Sequence, residues 1–162
     1  MTEKVFHTLS PVFDAESNIL ILGSIPSPRS RQIGFYYGHP QNRFWKVMFA
    51  LYGEPFAETT EERVAFLKRH RIALWDVLAS CDIRGASDAS IRDPVPNDIA
   101  SLLAESSIRR IFTTGTTAYK YYEKLCFPET QIHASLLPSP SPANAACRFD
   151  DLLAAYSVIL KG

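Results

Sequence analysis

The sequence predicts an α/β fold, a three-layer α/β/α sandwich with a central four-stranded parallel sheet. Short apolar runs alternate with amphipathic stretches along the chain, a pattern typical of parallel strands joined by helical crossovers. The first run, residues 19–22, is apolar on successive residues, as expected of a strand that is covered on both faces. The chain has 162 residues, the size of one domain with its own core, so we expect a single domain over residues 1–162.

Four short apolar runs are the predicted strands. The first ends at Gly23, the third is followed by Gly115, and the fourth leads into a loop that begins at Pro138. The four strands are predicted at residues 18–23, 72–77, 110–114 and 131–137.

The amphipathic stretches between and after the strands are the predicted helices. The second helix opens with a capping box formed by Thr59 and Glu62, and Asn97 is the expected cap of the third helix. The fourth helix runs directly off the strand that precedes Gly115. The helices are predicted at residues 42–51, 59–70, 98–105, 116–125 and 149–160.

Composition excludes several classes of protein. Hydrophobic residues make up 46% of the chain and charged residues 21%, values that exclude a disordered protein and a coiled coil. The three cysteines are widely spaced and form no Cys-x-x-Cys motif, so we expect reduced thiols and no metal site. The apolar runs are far shorter than the roughly 20 residues that span a bilayer, and the N-terminus carries no signal pattern. We therefore expect a cytoplasmic protein, nucleoid-associated if bacterial, that is monomeric and has no membrane partner.

Charge is unevenly distributed, although 17 basic residues balance 17 acidic ones. Residues 18–53 contain no Asp or Glu but include Arg29, Arg31, Arg43 and Lys46, and residues 130–149 also lack carboxylates. The two segments together could form one positive face that attracts nucleic acid, and for each segment alone a chance distribution is equally compatible.

Two loops indicate where a ligand binds. A segment of nearly twenty residues without regular pattern follows the first strand, and a loop stiffened by prolines, residues 137–144, follows the fourth. Because ligands of open α/β sheets bind outside the carboxyl ends of the strands, we expect both loops to flank one crevice. Asp76 ends the second strand, and the polar stretch at residues 82–93 is predicted to be a solvated loop.

Each motif in these loops has a functional and a structural interpretation. The segment Gly23-Ser24-Ile25-Pro26-Ser27 is either a sharp turn whose exposed amides bind a ligand or an ordinary tight turn with no function. Its spacing fits neither the glycine fingerprint of dinucleotide-binding proteins nor a Walker phosphate loop. Of Phe35, Tyr36 and Tyr37, we expect one to stack on a base and at least one other to fill the core.

Polar residues beside the two loops leave similar alternatives open. Asn42 is either a helix cap or a site residue whose amide orients water or binds a base edge, and His39 is a candidate acid or base. Ser139, Ser141 and Asn144 offer hydrogen bonds to a phosphate or a base. A serine nucleophile is disfavoured because the chain has no Gly-x-Ser-x-Gly elbow.

Three blocks taken together resemble the uracil-DNA glycosylase superfamily in order and spacing. They are Gly23-x-x-Pro26-Ser27, the block from Tyr37 to Trp45 (Tyr-Gly-His-Pro-x-Asn-Arg-Phe-Trp), and the block from Leu137 to Asn144 (Leu-Pro-Ser-Pro-Ser-Pro-Ala-Asn). The middle block is similar to the mismatch-specific uracil glycosylase branch, and the last block resembles the hypoxanthine (deoxyinosine) DNA glycosylase branch more closely still. The likeness extends over residues 18–144.

Two departures matter for the site. Most branches have Asn or Asp in the first block where this chain has Ile25, and many begin the last block with His or Asn where this chain has Leu137. Both departures resemble the hypoxanthine branch, in which the amide of the middle block takes over. In this chain that amide is Asn42.

The resemblance implies a uracil-DNA glycosylase-like fold and a DNA-deoxyinosine glycosylase, a monofunctional enzyme of base-excision repair. It would hydrolyse the N-glycosidic bond of deaminated bases in DNA, above all hypoxanthine, and would need no cofactor or metal. Asn42 is the implied catalytic residue. The implied base-binding residues are Gly23, Ser24, Ile25, Pro26, Tyr37, His39 and Ser139. The implied DNA-binding residues are Ser27, Arg29, Arg31, Arg43, Ser141 and Asn144.

Three alternatives remain open from the sequence. One is a mismatch-specific uracil-DNA glycosylase of the same fold. Another is a non-catalytic module that binds damaged bases, which the apolar Ile25 favours. The last is an α/β domain whose loops bind another small anionic ligand.

Overall fold

The computed structural model describes residues 2–161. The strands are β1 (Glu3–Phe6), β2 (Ile19–Gly23), β3 (Ile72–Asp76), β4 (Leu78–Arg84), β5 (Ser87–Pro96), β6 (Arg110–Thr114) and β7 (Ala134–Leu137). The helices are α1 (Pro28–Ile33), α2 (Phe44–Leu51), α3 (Thr60–Arg69), α4 (Ile99–Ala104), α5 (Thr116–Tyr121), α6 (Phe127–Thr130) and α7 (Phe149–Tyr156). A π-helical turn, Tyr122–Cys126, joins α5 to α6, and a 3₁₀ turn, Ser157–Leu160, follows α7. The expected domain bounds include residues 1 and 162, which lie outside the described residues.

The central sheet is four-stranded and entirely parallel, with the order β3-β2-β6-β7. It confirms the predicted α/β class and all four predicted strands, although β7 begins three residues later than expected. Because β3 lies on one side of β2 and β6 on the other, the direction of the crossovers reverses at β2. In folds of this kind the crevice at such a reversal is where ligands bind.

Strand β2 explains why the first apolar run has no alternation. Ile19 and Ile21 pack into the core formed with α2, α3 and α7, and Leu20 and Leu22 pack into the core on the opposite face with α4 and α5. All four side chains are buried. Burying each stabilises the fold by about 1.5–3 kcal/mol relative to leaving it in water. Helices on both faces therefore form the expected three layers.

A second sheet, antiparallel and with the order β1-β4-β5, was not predicted. The expectation of a solvated loop at residues 82–93 is wrong, because most of that stretch lies in β4 and β5. Along the ten residues of β5 only Ile91 is buried, and the register between β4 and β5 shifts three times. An exposed strand with an irregular register shows no apolar alternation, which is why the sequence pattern did not indicate it.

The helices need smaller corrections. Helix α1 lies inside the segment that was expected to lack regular structure, and the Ser27 side chain caps it by accepting a hydrogen bond from Ser30 N. Asp98 rather than Asn97 caps α4, and Asn97 instead donates through Nδ2 to the carbonyls of Asp76 and Leu78. The predicted helices at 116–125 and 149–160 both change type near their ends, to the π and 3₁₀ turns given above. Within residues 2–161, no helix combines the length and the apolar character that crossing a membrane requires.

Candidate active site

A cavity of about 150 Å³ lies at the carboxyl ends of β2, β3 and β6, where the crossover direction reverses. Residues of all three sequence blocks line it, because each block directly follows a strand end or packs against one. The sequence-predicted site residues that line the cavity are Gly23, Ser24, Ile25, Pro26, Ser27, Tyr37, Asn42, Ser139 and Ser141.

Tyr37 presents an aromatic ring to this cavity. Its ring stacks on Phe44, with 3.9 Å between centroids and 14° between planes, and its hydroxyl hydrogen-bonds to Thr114 Oγ1 at 2.9 Å. The backbone of Tyr37 has φ = 52°, a left-handed conformation that is uncommon for a bulky residue and is found at functional sites. Burial raises the pKa of the Tyr37 phenol well above its ordinary value, so the hydroxyl stays neutral. Phe35 and Tyr36 are core residues instead.

Asn42 lies two residues before the first residue of helix α2 and also lines the cavity. Arg43, not Asn42, occupies the N-cap position, and its side chain makes no capping hydrogen bond. Asn42 Oδ1 nevertheless accepts a hydrogen bond from Phe44 N, at the start of the helix, at 2.9 Å. Among the described residues, none accepts a hydrogen bond from Asn42 Nδ2. The bond to Phe44 N thus fixes the side chain and leaves its amide NH₂ group able to donate at the cavity.

The loop after β2 contributes backbone donors. The main-chain N–H groups of Ser24 and Ile25 donate to no residue in the described part of the chain. Gly23 is required where the loop begins, because a Cβ there would lie 2.5 Å from Asp76 Oδ1 and 3.3 Å from the Tyr37 hydroxyl. The turn therefore brings free N–H groups, a carboxylate oxygen and an aromatic ring to one place.

Asp76 and His7 form a buried pair at the cavity, which the sequence analysis did not find. His7 Nε2 donates to Asp76 Oδ2 at 2.8 Å, and the two side chains are 2% and 5% exposed. Asp76 Oδ1 accepts no hydrogen bond from residues 2–161. The only sequence signal was the position of Asp76 at the carboxyl end of a strand, since His7 is 69 residues away in the chain.

Asp88 brings a second carboxylate to the cavity from strand β5. Its Oδ1 accepts a hydrogen bond from Ser24 Oγ at 3.3 Å. The residue is exposed at the edge of the cavity, yet partial desolvation by the surrounding protein raises the pKa of its carboxyl, against the opposing effect of the Ser24 hydrogen bond.

Arg43, a predicted DNA-binding residue, holds the second loop together through its guanidinium. Nη2 donates to the carbonyls of Ser141 and Asn144 at 3.0 and 3.1 Å, and Nη1 donates to the carbonyl of Cys147. Asn144 also acts within the loop, because its Nδ2 donates to the Ser139 carbonyl at 3.0 Å. The guanidinium thereby fixes the loop that carries Ser139 and Ser141 to the cavity.

Three further predicted residues lie away from the cavity. His39 lines a neighbouring cavity that shares Tyr37 and Asn42 with the first, and its Nδ1 accepts a hydrogen bond from Gln41 N at 3.0 Å. Arg31 is half-buried, and its Nη1 is buried without a hydrogen-bond partner among the described residues. Arg29 is exposed on α1 and is the predicted DNA-binding arginine whose side chain is open to solvent.

The chemistry of the cavity suits a flat heteroaromatic ring. The ring of Tyr37 offers a stacking face, the amides of Ser24, Ile25 and Asn42 offer donors, and Asp76 offers an acceptor. Within residues 2–161, no three side chains of His, Cys, Asp or Glu are grouped so that they could hold a metal ion.

The chain is similar to known proteins over most of its length. A family model described as the Uracil DNA glycosylase superfamily matches residues 10–158. A curated protein of Methanosarcina acetivorans named Hypoxanthine DNA glycosylase is 36% identical over 135 residues, which cover 82% of this chain and 84% of that protein. A Methanosarcina barkeri protein of the same name is 39% identical over 93 residues, 57% of this chain and 59% of that protein. The solution NMR structure of a uracil DNA glycosylase candidate from M. acetivorans superposes with a TM-score of 0.77 at 32% identity, covering 95% of this chain and 98% of that one.

Proposed function

Because the chain belongs to the uracil DNA glycosylase superfamily, as its three sequence blocks predicted, we propose that it excises deaminated bases from DNA, above all hypoxanthine. It is a monofunctional DNA glycosylase that hydrolyses the N-glycosidic bond in base-excision repair. A base as the substrate is supported by the cavity, in which the ring of Tyr37, unpaired N–H donors and a carboxylate oxygen lie close together. The curated name of the Methanosarcina relatives supports hypoxanthine as the base.

Tyr37 is the stacking residue in this proposal. An extruded base would lie on the face of the ring that Phe44 does not cover, and Phe44 supports the ring from behind at 3.9 Å. Stacking of a base on an aromatic side chain contributes about 1–3 kcal/mol, enough to offset part of the cost of taking the base out of the duplex.

Asn42 and the first loop stabilise the transition state. Cleaving a purine from deoxyribose builds positive charge on the sugar and negative charge on the leaving base, and fixed N–H groups stabilise the latter. Asn42 Nδ2 and the amides of Ser24 and Ile25 are such groups. The side chain of Ile25 cannot activate water, but its main-chain N–H can still donate a hydrogen bond to the leaving base, since that bond does not depend on the side chain. The Asn42 amide also orients water, although it cannot take up a proton.

DNA is held by the exposed groups around the cavity. Arg29 attracts the phosphates from α1, and the hydroxyl of Ser141 donates to the backbone at the cavity edge. Ser27 shapes this edge as the cap of α1, because its hydroxyl donates to Ser30 Oγ. Arg43 contributes indirectly, through the loop that it fixes. His39 does not line the cavity itself but the neighbouring one that shares Tyr37 and Asn42, and this proposal gives it no role. We further propose that the enzyme acts as a cytoplasmic monomer.

The proposal is tested with duplexes that carry one deoxyinosine, deoxyuridine or deoxyxanthosine. Strands that stay intact until alkali is added, and then break at deoxyinosine, are the expected result for a monofunctional enzyme. Cleavage at deoxyuridine alone would instead indicate a mismatch-specific uracil glycosylase. Binding to deoxyinosine duplexes without release of hypoxanthine would indicate a non-catalytic damaged-base sensor.

A further inference from the structure

Hydrolysis of the N-glycosidic bond releases a proton that neither Asn42 nor the first loop can accept. Water adds to the anomeric carbon of the sugar, and it gives up a proton as its oxygen forms that bond. The amide of Asn42 cannot take up a proton, and the side chain of Ile25 is apolar. A protein group that accepts this proton must therefore lie elsewhere at the cavity.

Two carboxylates line the cavity, and they differ in depth. Among the described residues at the cavity, only Asp76 and Asp88 have carboxylic acid side chains. Asp76 is 5% exposed and is paired with His7, whereas Asp88 is exposed at the cavity edge. The sugar of an extruded nucleotide stays bonded to the DNA backbone, so its anomeric carbon lies toward the open side of the cavity. Asp88 is thus the carboxylate on the side where water attacks.

The second sheet brings Asp88 to this place. The turn that joins β4 to β5 lines the cavity, and Gly85 in this turn has φ = 56°, a conformation that favours glycine. Ser90 fixes the turn, because its hydroxyl accepts a hydrogen bond from Arg84 N at 2.8 Å and donates to the Ser87 carbonyl at 2.6 Å. The hairpin is therefore an ordered wall of the cavity, with Asp88 as the second residue of β5.

Contacts with the first loop orient Asp88. Its Oδ1 accepts a hydrogen bond from Ser24 Oγ at 3.3 Å, which connects β5 to the loop after β2. Desolvation raises the pKa of the Asp88 carboxyl, against the opposing effect of hydrogen bonds from the hydroxyls of Ser24 and Thr117. A carboxylate with a raised pKa is a better proton acceptor than a fully solvated one. Because Ser24 adjoins Ile25, Asp88 supplies a carboxylate beside a loop that has none of its own.

We propose that Asp88 is a catalytic residue that accepts the proton of the attacking water. The oxygen of the water forms a bond with the anomeric carbon, and the bond from that carbon to N9 of hypoxanthine breaks, with its electron pair leaving on the base. One proton of the water passes to an oxygen of Asp88, and the anionic base takes up a proton from solvent. Asp88 then releases its proton to solvent, which restores the carboxylate. The inference rests on the proposed function and adds the group that activates its water.

Asp88→Asn is the direct test, because the amide keeps the size of the side chain and an oxygen that accepts from Ser24, but cannot take up a proton. Release of hypoxanthine from a deoxyinosine duplex is measured in a single turnover, with the enzyme in excess. We expect the rate to fall about 100-fold or more, within the range typical of general base catalysis. Asp93→Asn is the matched control, since Asp93 is exposed on the same strand and does not line the cavity, and it should keep the wild-type rate.

Binding separates proton transfer from a structural role. A duplex with tetrahydrofuran at the lesion position resembles the abasic product and is not cleaved. The wild type and Asp88→Asn should bind this duplex with the same affinity, and thermal melting should show that both are folded. A fall in rate that is matched by an equal fall in affinity would overturn the proposal and identify Asp88 as a residue that holds DNA.

Chemical rescue identifies the property of the carboxylate that matters. Asp88→Ala opens space for a small planar anion, and formate and nitrate are two such anions of similar size, of which only formate is an appreciable base. Formate should restore part of the rate of Asp88→Ala, and nitrate at the same concentration should not. Rescue by both anions would show that negative charge alone is required and would overturn the proton transfer.

Failure of this inference and failure of the proposed function give different results. A wild type that releases hypoxanthine, together with Asp88→Asn that releases it at the same rate, would overturn the inference and leave the activity in place. A wild type that releases no base from any deaminated duplex would overturn the proposed function and the inference with it.

Discussion

Replacing Arg43 distinguishes a loop-holding role from a direct contact with DNA. The guanidinium makes three close hydrogen bonds to main-chain carbonyls, those of Ser141, Asn144 and Cys147. Hydrogen bonds to a charged group each contribute about 1.5–3 kcal/mol. Because the loop is partly exposed, water replaces some of these bonds when the guanidinium is removed, and we expect a net loss of about 2–4 kcal/mol.

Arg43→Lys is the informative variant, since it keeps the charge but loses the planar fork that reaches several carbonyls. We expect a loss near the lower end of this range, about 2 kcal/mol, measured by urea denaturation. In a thermal melt that corresponds to a midpoint about 4–8 °C lower for a chain of this size. Excision should fall too, because the loop carries Ser139 and Ser141 to the cavity.

Salt dependence provides the control. If Arg29 contacts a phosphate, Arg29→Ala should reduce the slope of log binding constant against log salt by about 1 and leave stability unchanged. Arg43→Ala should lower stability with little change in slope. A stable Arg43→Lys protein, together with a slope reduced by about 1 in Arg43→Ala, would refute the loop-holding role.

Three other substitutions or conditions have defined outcomes. Gly23→Ala places a Cβ against Asp76 Oδ1 and should destabilise the fold by about 1–3 kcal/mol in urea; a wild-type midpoint would contradict the geometry. Tyr37→Leu should weaken binding to a deoxyinosine duplex about 5- to 150-fold, which Tyr37→Phe should not, and equal effects of the two would exclude stacking. Burial raises the pKa of the Cys126 thiol to about 12, whereas a thiol in the unfolded chain has a pKa of about 8.5. The stability that the neutral buried thiol contributes is therefore complete below about pH 8.5 and is lost as the pH rises toward 12. Between pH 8 and pH 10.5 the free energy of unfolding, measured in urea, should fall less for Cys126→Val than for the wild type, and an equal fall would contradict the raised pKa.

The parallel sheet could be predicted because burial on both faces imposes its own pattern. Ile19 to Leu22 must be apolar on every residue, since alternate side chains enter opposite cores. The antiparallel strands β4 and β5 could not be predicted in the same way. Strand β5 is largely in water, and the shifted register between the two strands removes the alternation that would have marked them.

The candidate site was predictable where it is local and not where it is assembled from distant residues. Ser139 follows the end of β7, and Tyr37 and Asn42 lie in the connection that leaves the end of β2, so their approach to one crevice follows from the topology. His7 and Asp76 are brought together only by the fold, which no spacing in the sequence indicates. The carbonyl partners of Arg43 could not be predicted, because they lie about a hundred residues away in the chain.

Release of hypoxanthine in a single turnover tests the central claim most directly. The wild type and Asn42→Ala are incubated in excess over a duplex with one deoxyinosine, and the free base is quantified over time. Loss of the donor at Nδ2 should lower the rate about 100-fold or more, the effect typical of removing one fixed donor to a developing charge. A rate for Asn42→Ala within about threefold of the wild type, or no hypoxanthine released by the wild type, would contradict the account.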